Sequence, residues 1–237
     1  VPINEDIVSK HAEDAAFLWP QRELAVRSNR YRLLELRRLD DRLEANLDGL
    51  VHAGTRGWEI CREQLLACAE EGEVFASAVL AFQCGSAARL DPIFCAAFSD
   101  HACTRAVIAA IAWHAFDRVK PLLDAWLTSS ASFERYLAVA GFAVHRRQPA
   151  VDFSDLLAHP SERLQRRAVK AVAELGRLDC VAALVELRRD PRLELQANLA
   201  LARLGAADED TLESLCSFVT RPDCTYLAAA LLQVAAP

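Results

Sequence analysis

"RRAVKAVAELG", Arg166–Gly176, and "LQANLALARLG", Leu195–Gly205, are two short phrases with one grammar. Both are rich in alanine, and both end in Leu-Gly. In the first, Ala168, Val169, Val172 and Leu175 fall on one stripe at helical spacing, while Arg166, Arg167, Lys170 and Glu174 fall on the other side. Gly176 and Gly205 then stand where a helix ends on a left-handed residue, a position glycine takes without a Cβ penalty. Each phrase reads as an amphipathic helix with a glycine stop.

The surrounding text repeats. Pro160, Pro191 and Pro222 are spaced 31 residues apart, in the polar turns "AHPSE", "RDPRL" and "TRPDC". A shorter helical phrase leads from each glycine to the next proline turn: "CVAALVELRR", then "TLESLCSFV". The pair can be followed backward with looser spacing. "FERYLAVAGFAVHRR" precedes "VDFSDLLAHP", "CTRAVIAAIAWHAF" precedes "VKPLLDAWLTS", and "EVFASAVLAFQCG" precedes "ARLDPIFCAAFSD". Ala106, Leu137 and Ala168, also 31 apart, are expected at equivalent points of successive first helices. One helix pair cannot bury its apolar face alone, whereas stacked pairs build a continuous core. The expected fold is all-α, an α-solenoid of helix pairs over 55–237, with 1–54 as an N-terminal helical cap or docking segment.

Composition agrees. Of 237 residues, 53% are hydrophobic, and only 8 are glycine and 9 proline, which leaves few breaks for strands and turns. No apolar stretch is long enough to span a bilayer, and the opening "VPINEDIVSK" lacks the features of a secretory signal, so no membrane contact is expected. Cys61, Cys68, Cys84, Cys95, Cys103, Cys180, Cys216 and Cys224 sit mostly in Ala/Leu-rich helical text. They are expected to be buried, reduced thiols in a cytoplasmic protein. The chain has no methionine and stops in "LAAALLQVAAP", where a further helix pair or cap would be expected.

The repeat phrase resembles HEAT-like repeats, including the short variety of about 30 residues, over roughly 73–237. The N-terminal text differs. "NEDIVSKHAEDAAFLWPQRELAV" reads as a helix broken at Trp19-Pro20 and restarted. "SNRYRLLELRRLDDRLEANLDGLVHAG" reads as one long amphipathic helix, capped by Ser28 and stopped by Gly54. Its apolar line is Leu33, Leu36, Leu39 or Leu43, Leu47 and Leu50. Within this region "HAEDAAFLWPQR", His11–Arg22, and "LDDRLEANLDGL", Leu39–Leu50, resemble the start of a proteobacterial HEAT-repeat-like family of unassigned function. Members tend to be larger than this chain, and some are encoded beside type VI secretion genes. The resemblance implies a secretion-associated immunity or effector adaptor protein.

Motifs for chemistry are sparse. "SKHAED" offers His11, Glu13 and Asp14, but a zinc-protease helix needs a second histidine where Ala15 stands. "CAAFSDHAC" brings Cys95, Asp100, His101 and Cys103 near a helix junction without the paired spacing of a zinc site. "AWHAFDR" places His114 and Asp117 three apart beside Trp113, whose expected role is packing. No phosphate loop, dinucleotide fingerprint or nucleophile elbow occurs. Neither a cofactor nor a metal is expected, and the expected class is non-enzymatic.

Charge points to a partner. The net charge is −6, which disfavours nucleic acid, yet residues 101–150 carry six basic against three acidic side chains. Arg135, Arg146, Arg147, Arg163, Arg166, Arg167 and Lys170 come from adjacent helix pairs and form the candidate partner-binding surface. Arginine forks suit carboxylates, so the expected partner is an acidic protein, such as a secreted effector or toxin. The competing expectation is a HEAT-like nucleic-acid enzyme, such as a DNA glycosylase. It would require Asp100, His101 or His114 to converge in a pocket.

Overall fold

The computed structural model describes residues 4–219. Among them are thirteen α-helices and no strand. They are α1 (Glu5–Arg27), α2 (Leu33–His52), α3 (Thr55–Ala67), α4 (Glu71–Cys84), α5 (Leu90–Ser99), α6 (His101–Trp113), α7 (Phe116–Leu127), α8 (Ser132–Val144), α9 (Phe153–Leu157), α10 (Glu162–Glu174), α11 (Val181–Leu187), α12 (Glu194–Arg203) and α13 (Glu209–Val219). The all-helical class read from the sequence holds. The chain divides into two compact units, 1–122 and 123–237, with α7 running across the division.

In the first unit α1 packs on α2, α3 and α4, and α4 packs in turn on α6. Helix α4 is buried from Val74 through Phe82, the all-round apolar character of a central helix. Its Phe75 ring stacks on Trp19 of α1 at 5.1 Å and meets Trp113 of α6 edge-on at 5.7 Å. Buried hydroxyls find carbonyls. Ser77 donates to Cys61 O at 3.3 Å, and Thr104 donates to Ala97 O at 2.6 Å.

Four N-terminal expectations change here. Helix α1 is not broken at Pro20 but runs unbroken through it. A proline at position 20 cannot donate to the carbonyl of Ala16. Gly72, in the first turn of α4, lies against that carbonyl: a Cβ there would stand 2.0 Å from Ala16 O. Only glycine permits this approach, and its Cα–H points at the oxygen that Pro20 leaves without a helical donor. Helix α2 begins at Leu33 rather than after Ser28, because Ser28 is the C-cap of α1. Gly54 does not end α2 as its cap; it is the N-cap of α3. The apolar line of α2 is buried only at Leu43, Leu47 and Leu50, and Leu33 is 85% exposed.

In the second unit the first helices of successive pairs are neighbours, α8 on α10 and α10 on α12, while α9 packs on α10, α11 on α12 and α12 on α13. The interface residues are small. Ala138, Ala168 and Ala197 are each fully buried. These helices end in one recurring corner. Arg147 N donates to Phe142 O, Arg177 N to Val172 O, and Ala206 N to Leu201 O, each near 2.9–3.0 Å. The residue before each donor is left-handed: Arg146 at φ 53°, Gly176 at 68° and Gly205 at 70°. This is the Schellman stop, written three times. Aligning the helices on it matches Ala138, not Leu137, to Ala168, so the equivalence expected from the 31-residue spacing shifts by one. Pro222 and Cys224 lie outside the described residues.

The cysteines are less buried than expected. Cys61, Cys103 and Cys180 are buried, while Cys68, Cys84, Cys95 and Cys216 are exposed. Burial pushes the Cys61 thiol up to about 12.

Candidate protein-binding surface

The seven basic residues read from the sequence all fall in the second unit, but α8 and α10 spread them out. The two helices run parallel: Arg163 at the start of α10 stacks over Phe133 and Tyr136 at the start of α8, at 4.8 and 5.0 Å. At the far end Gln148, beyond α8, donates to Leu175 O at the end of α10 at 3.2 Å. A 13-residue helix is about 20 Å long. The basic run is therefore divided between two ends and a middle.

At the starting end sit Arg135, half-buried, and Arg163 on its two rings. His159 belongs to this end. Its Nδ1 accepts from Ser161 N at 3.0 Å, which leaves the proton on Nε2 in the neutral ring. Desolvation, and then the Arg135 charge, hold the ring below the usual histidine range.

In the middle the cations are engaged by the fold. Arg166 pairs with Glu162 at 2.8 Å and donates to Arg192 O at 3.0 Å. Arg167 is buried, its Nη2 bound to Glu174, and its Nε has no hydrogen-bond partner among the described residues. Lys170 lies 3.7 Å from the same Glu174. Its ammonium is held below the usual lysine range by desolvation and by the Arg167 and Arg203 charges, against the pull of Glu174, although half its side chain stays exposed.

At the finishing end Arg146 and Arg147 are exposed on the corner of α8. Arg177, which sequence reasoning did not single out, sits on the next corner. It forks onto Asp179 at 2.6 and 2.8 Å, reaches Gln148 Oε1 at 3.4 Å and covers Phe153 at 4.7 Å. The signal that would have found it is its place directly after the glycine stop, opposite Arg147. Cations at a helix C-terminus meet its negative end, so this edge favours basic side chains.

The catalytic alternatives disperse. Asp100 is the N-cap of α6, accepting from Cys103 N at 2.8 Å, and that bond holds its carboxyl below the usual range. His101 is exposed on the same first turn, whereas His114 is the cap at the other end of α6, its Nε2 3.0 Å from Val79 O. Cys103 is pushed up to about 11, chiefly by burial, and so stays a thiol. Asp117 is exposed. His11 Nδ1 lies 2.9 Å from Asn46 Oδ1 and its ring packs on Gly49, a helix-to-helix contact. Among the described residues no group of three or more His, Cys, Asp or Glu is placed to hold a metal, and no described helix is long and apolar enough to cross a membrane.

Compared with known protein families, with curated proteins and with solved structures, the chain finds no match.

Proposed function

We propose that this chain is a non-enzymatic protein-binding scaffold, an α-solenoid of HEAT-like helix pairs that recognises an acidic protein in the bacterial cytoplasm. The successive packing of α8, α10 and α12, each closed by the same corner, supports the repeat reading. The resemblance of His11–Arg22 and Leu39–Leu50 to a family linked with type VI secretion genes supports a role as an immunity or effector adaptor protein.

One observation carries the binding reading. Two of the three corners place glycine at the left-handed residue, and the third places Arg146 there. A non-glycine residue at that geometry costs about 1–2 kcal/mol. Strain of this kind persists where a side chain is needed. Arg146 and Arg147 are exposed beside Arg177, an edge of arginine forks suited to carboxylates. Arg135 and Arg163 offer a second basic site at the opposite end of α8 and α10, while Arg166, Arg167 and Lys170 between them are engaged by Glu162 and Glu174.

The test is capture from a bacterial lysate at mild salt, read by mass spectrometry, with the chain and its Arg146→Glu/Arg147→Glu variant side by side. A dominant protein retained by the first and lost by the second is the expected result. Nucleic acid retained in place of protein contradicts it, as does a partner indifferent to the charge reversal.

A further inference from the structure

A second surface lies in the first unit, where α1 turns into α2. The two helices run antiparallel: Arg22 pairs with Asp40 at 2.8 Å, and His11 with Asn46 at 2.9 Å. The end of α1, the turn and the start of α2 therefore share one tip. Every residue from Asn29 to Glu35 is exposed. Five large apolar side chains stand out in water there: Leu33 at 85%, Leu24 at 71%, Leu34 at 62%, Val26 and Tyr31. A cluster of this size on a soluble surface marks a contact.

The charge at the tip says what covers it. Leu24–Arg38 holds five arginines against one carboxylate, in a chain whose net charge is −6. That carboxylate, Glu35, is occupied by accepting from Arg32 N at 2.8 Å. Arg27 pairs with Glu23 at 3.5 Å. Arg30, Arg32, Arg37 and Arg38 form no ion pair with any described residue, whereas Arg56, Arg177, Arg188 and Arg192 each do.

We propose that this tip inserts into an anionic lipid surface, with Leu33, Leu34, Leu24 and Val26 in the acyl boundary, Tyr31 at headgroup depth and the four unpaired guanidinium groups on lipid phosphates. The chemistry is that of an interfacial anchor, in which apolar burial and attraction to anionic headgroups act together. Arginine stems bury while their forks stay at the phosphates. Leu33 at 85% and Leu24 at 71% keep most of their surface in water. A rigid protein would need a pocket moulded to it, whereas a bilayer interface deforms around it. A second copy docking tip to tip would bring the same four arginines face to face. The sequence expectation of no membrane contact rested on spanning length and on the lack of a secretory signal, neither of which an interfacial tip needs.

The experiment is co-sedimentation of the chain with phosphatidylcholine vesicles carrying about 30% phosphatidylglycerol, and with pure phosphatidylcholine vesicles, at about 0.1 M salt. The expected result is binding to the anionic vesicles only. It weakens at least about tenfold in Leu33→Ser/Leu34→Ser and again in Arg37→Glu/Arg38→Glu, with melting unchanged because all four side chains are exposed. No partition to anionic vesicles overturns the proposal. Binding that ignores either variant, or that is equal on neutral lipid, also overturns it. A concentration-dependent dimer without vesicles, lost in Leu33→Ser/Leu34→Ser, assigns the tip to a second copy and overturns it too. A soluble acidic protein captured through the tip while vesicles are ignored does the same.

Discussion

The two units bring helices together by different means. In the first, Gly72 lets α4 approach the Ala16 carbonyl of α1, and Gly57 does the same for α3 at Leu50 O, where a Cβ would stand 2.2 Å away. In the second, small alanines set the spacing and one corner is reused after α8, α10 and α12. The first solution is fitted contact by contact, each glycine to its own carbonyl. The second is a module. A glycine's meaning is therefore local: Gly72 matters for what it lacks, whereas Gly176 and Gly205 matter for the φ they adopt.

Substitutions separate the two meanings. Gly72→Ala drives a methyl into a backbone carbonyl that no rotamer can move. We expect a loss of about 3 kcal/mol, the largest of the series, read as a lowered midpoint in urea. Gly176→Ala meets open space, since no atom lies within 4 Å of its Cβ position. It costs only the left-handed geometry, about 1 kcal/mol. Equal losses for the two variants would erase the distinction.

The smallest effect is one of pH. Asp208, at the start of α13, accepts from Arg188 at 2.6 Å and from both Thr211 Oγ1 and Thr211 N, and these bonds, Arg188 first, hold its carboxyl below the ordinary 3.8. A group whose folded value is depressed stabilises the fold above its unfolded value, and that stability is lost as pH falls through the folded value. Asp208→Asn keeps a capping side chain but not the charge. Its melting point should trail the parent's near neutrality, and the gap should begin to close only as pH falls below about 4 and narrow on toward the folded value. A constant gap down to low pH would remove the Arg188 contact as the cause.

Much of the second unit was legible. The Pro and Gly spacing gave helices and stops because both residues act through their own backbone, without help from neighbours. Arg146 was invisible as a corner, since nothing in an arginine announces φ 53°. Pro20 was misread for the opposite reason: the residue that accommodates it, Gly72, lies 52 positions away. Ser28 suits an N-cap by type, yet the chain uses it to close α1. The basic run looked like one patch because the seven residues are close in sequence. The parallel course of α8 and α10 sends Arg163 and Arg147 to opposite ends, and Arg167 goes inside.

The most direct measurement uses one variant, Arg146→Gly, melted beside the parent chain and offered to the same lysate. Glycine relieves the left-handed strain but adds chain entropy to the unfolded state, so the net gain is about 0.5 kcal/mol. The expected result is a higher melting midpoint together with weaker capture of the partner: a more stable protein that binds less. A lower midpoint would contradict the shared corner, and undiminished capture would contradict the role assigned to the Arg146 side chain.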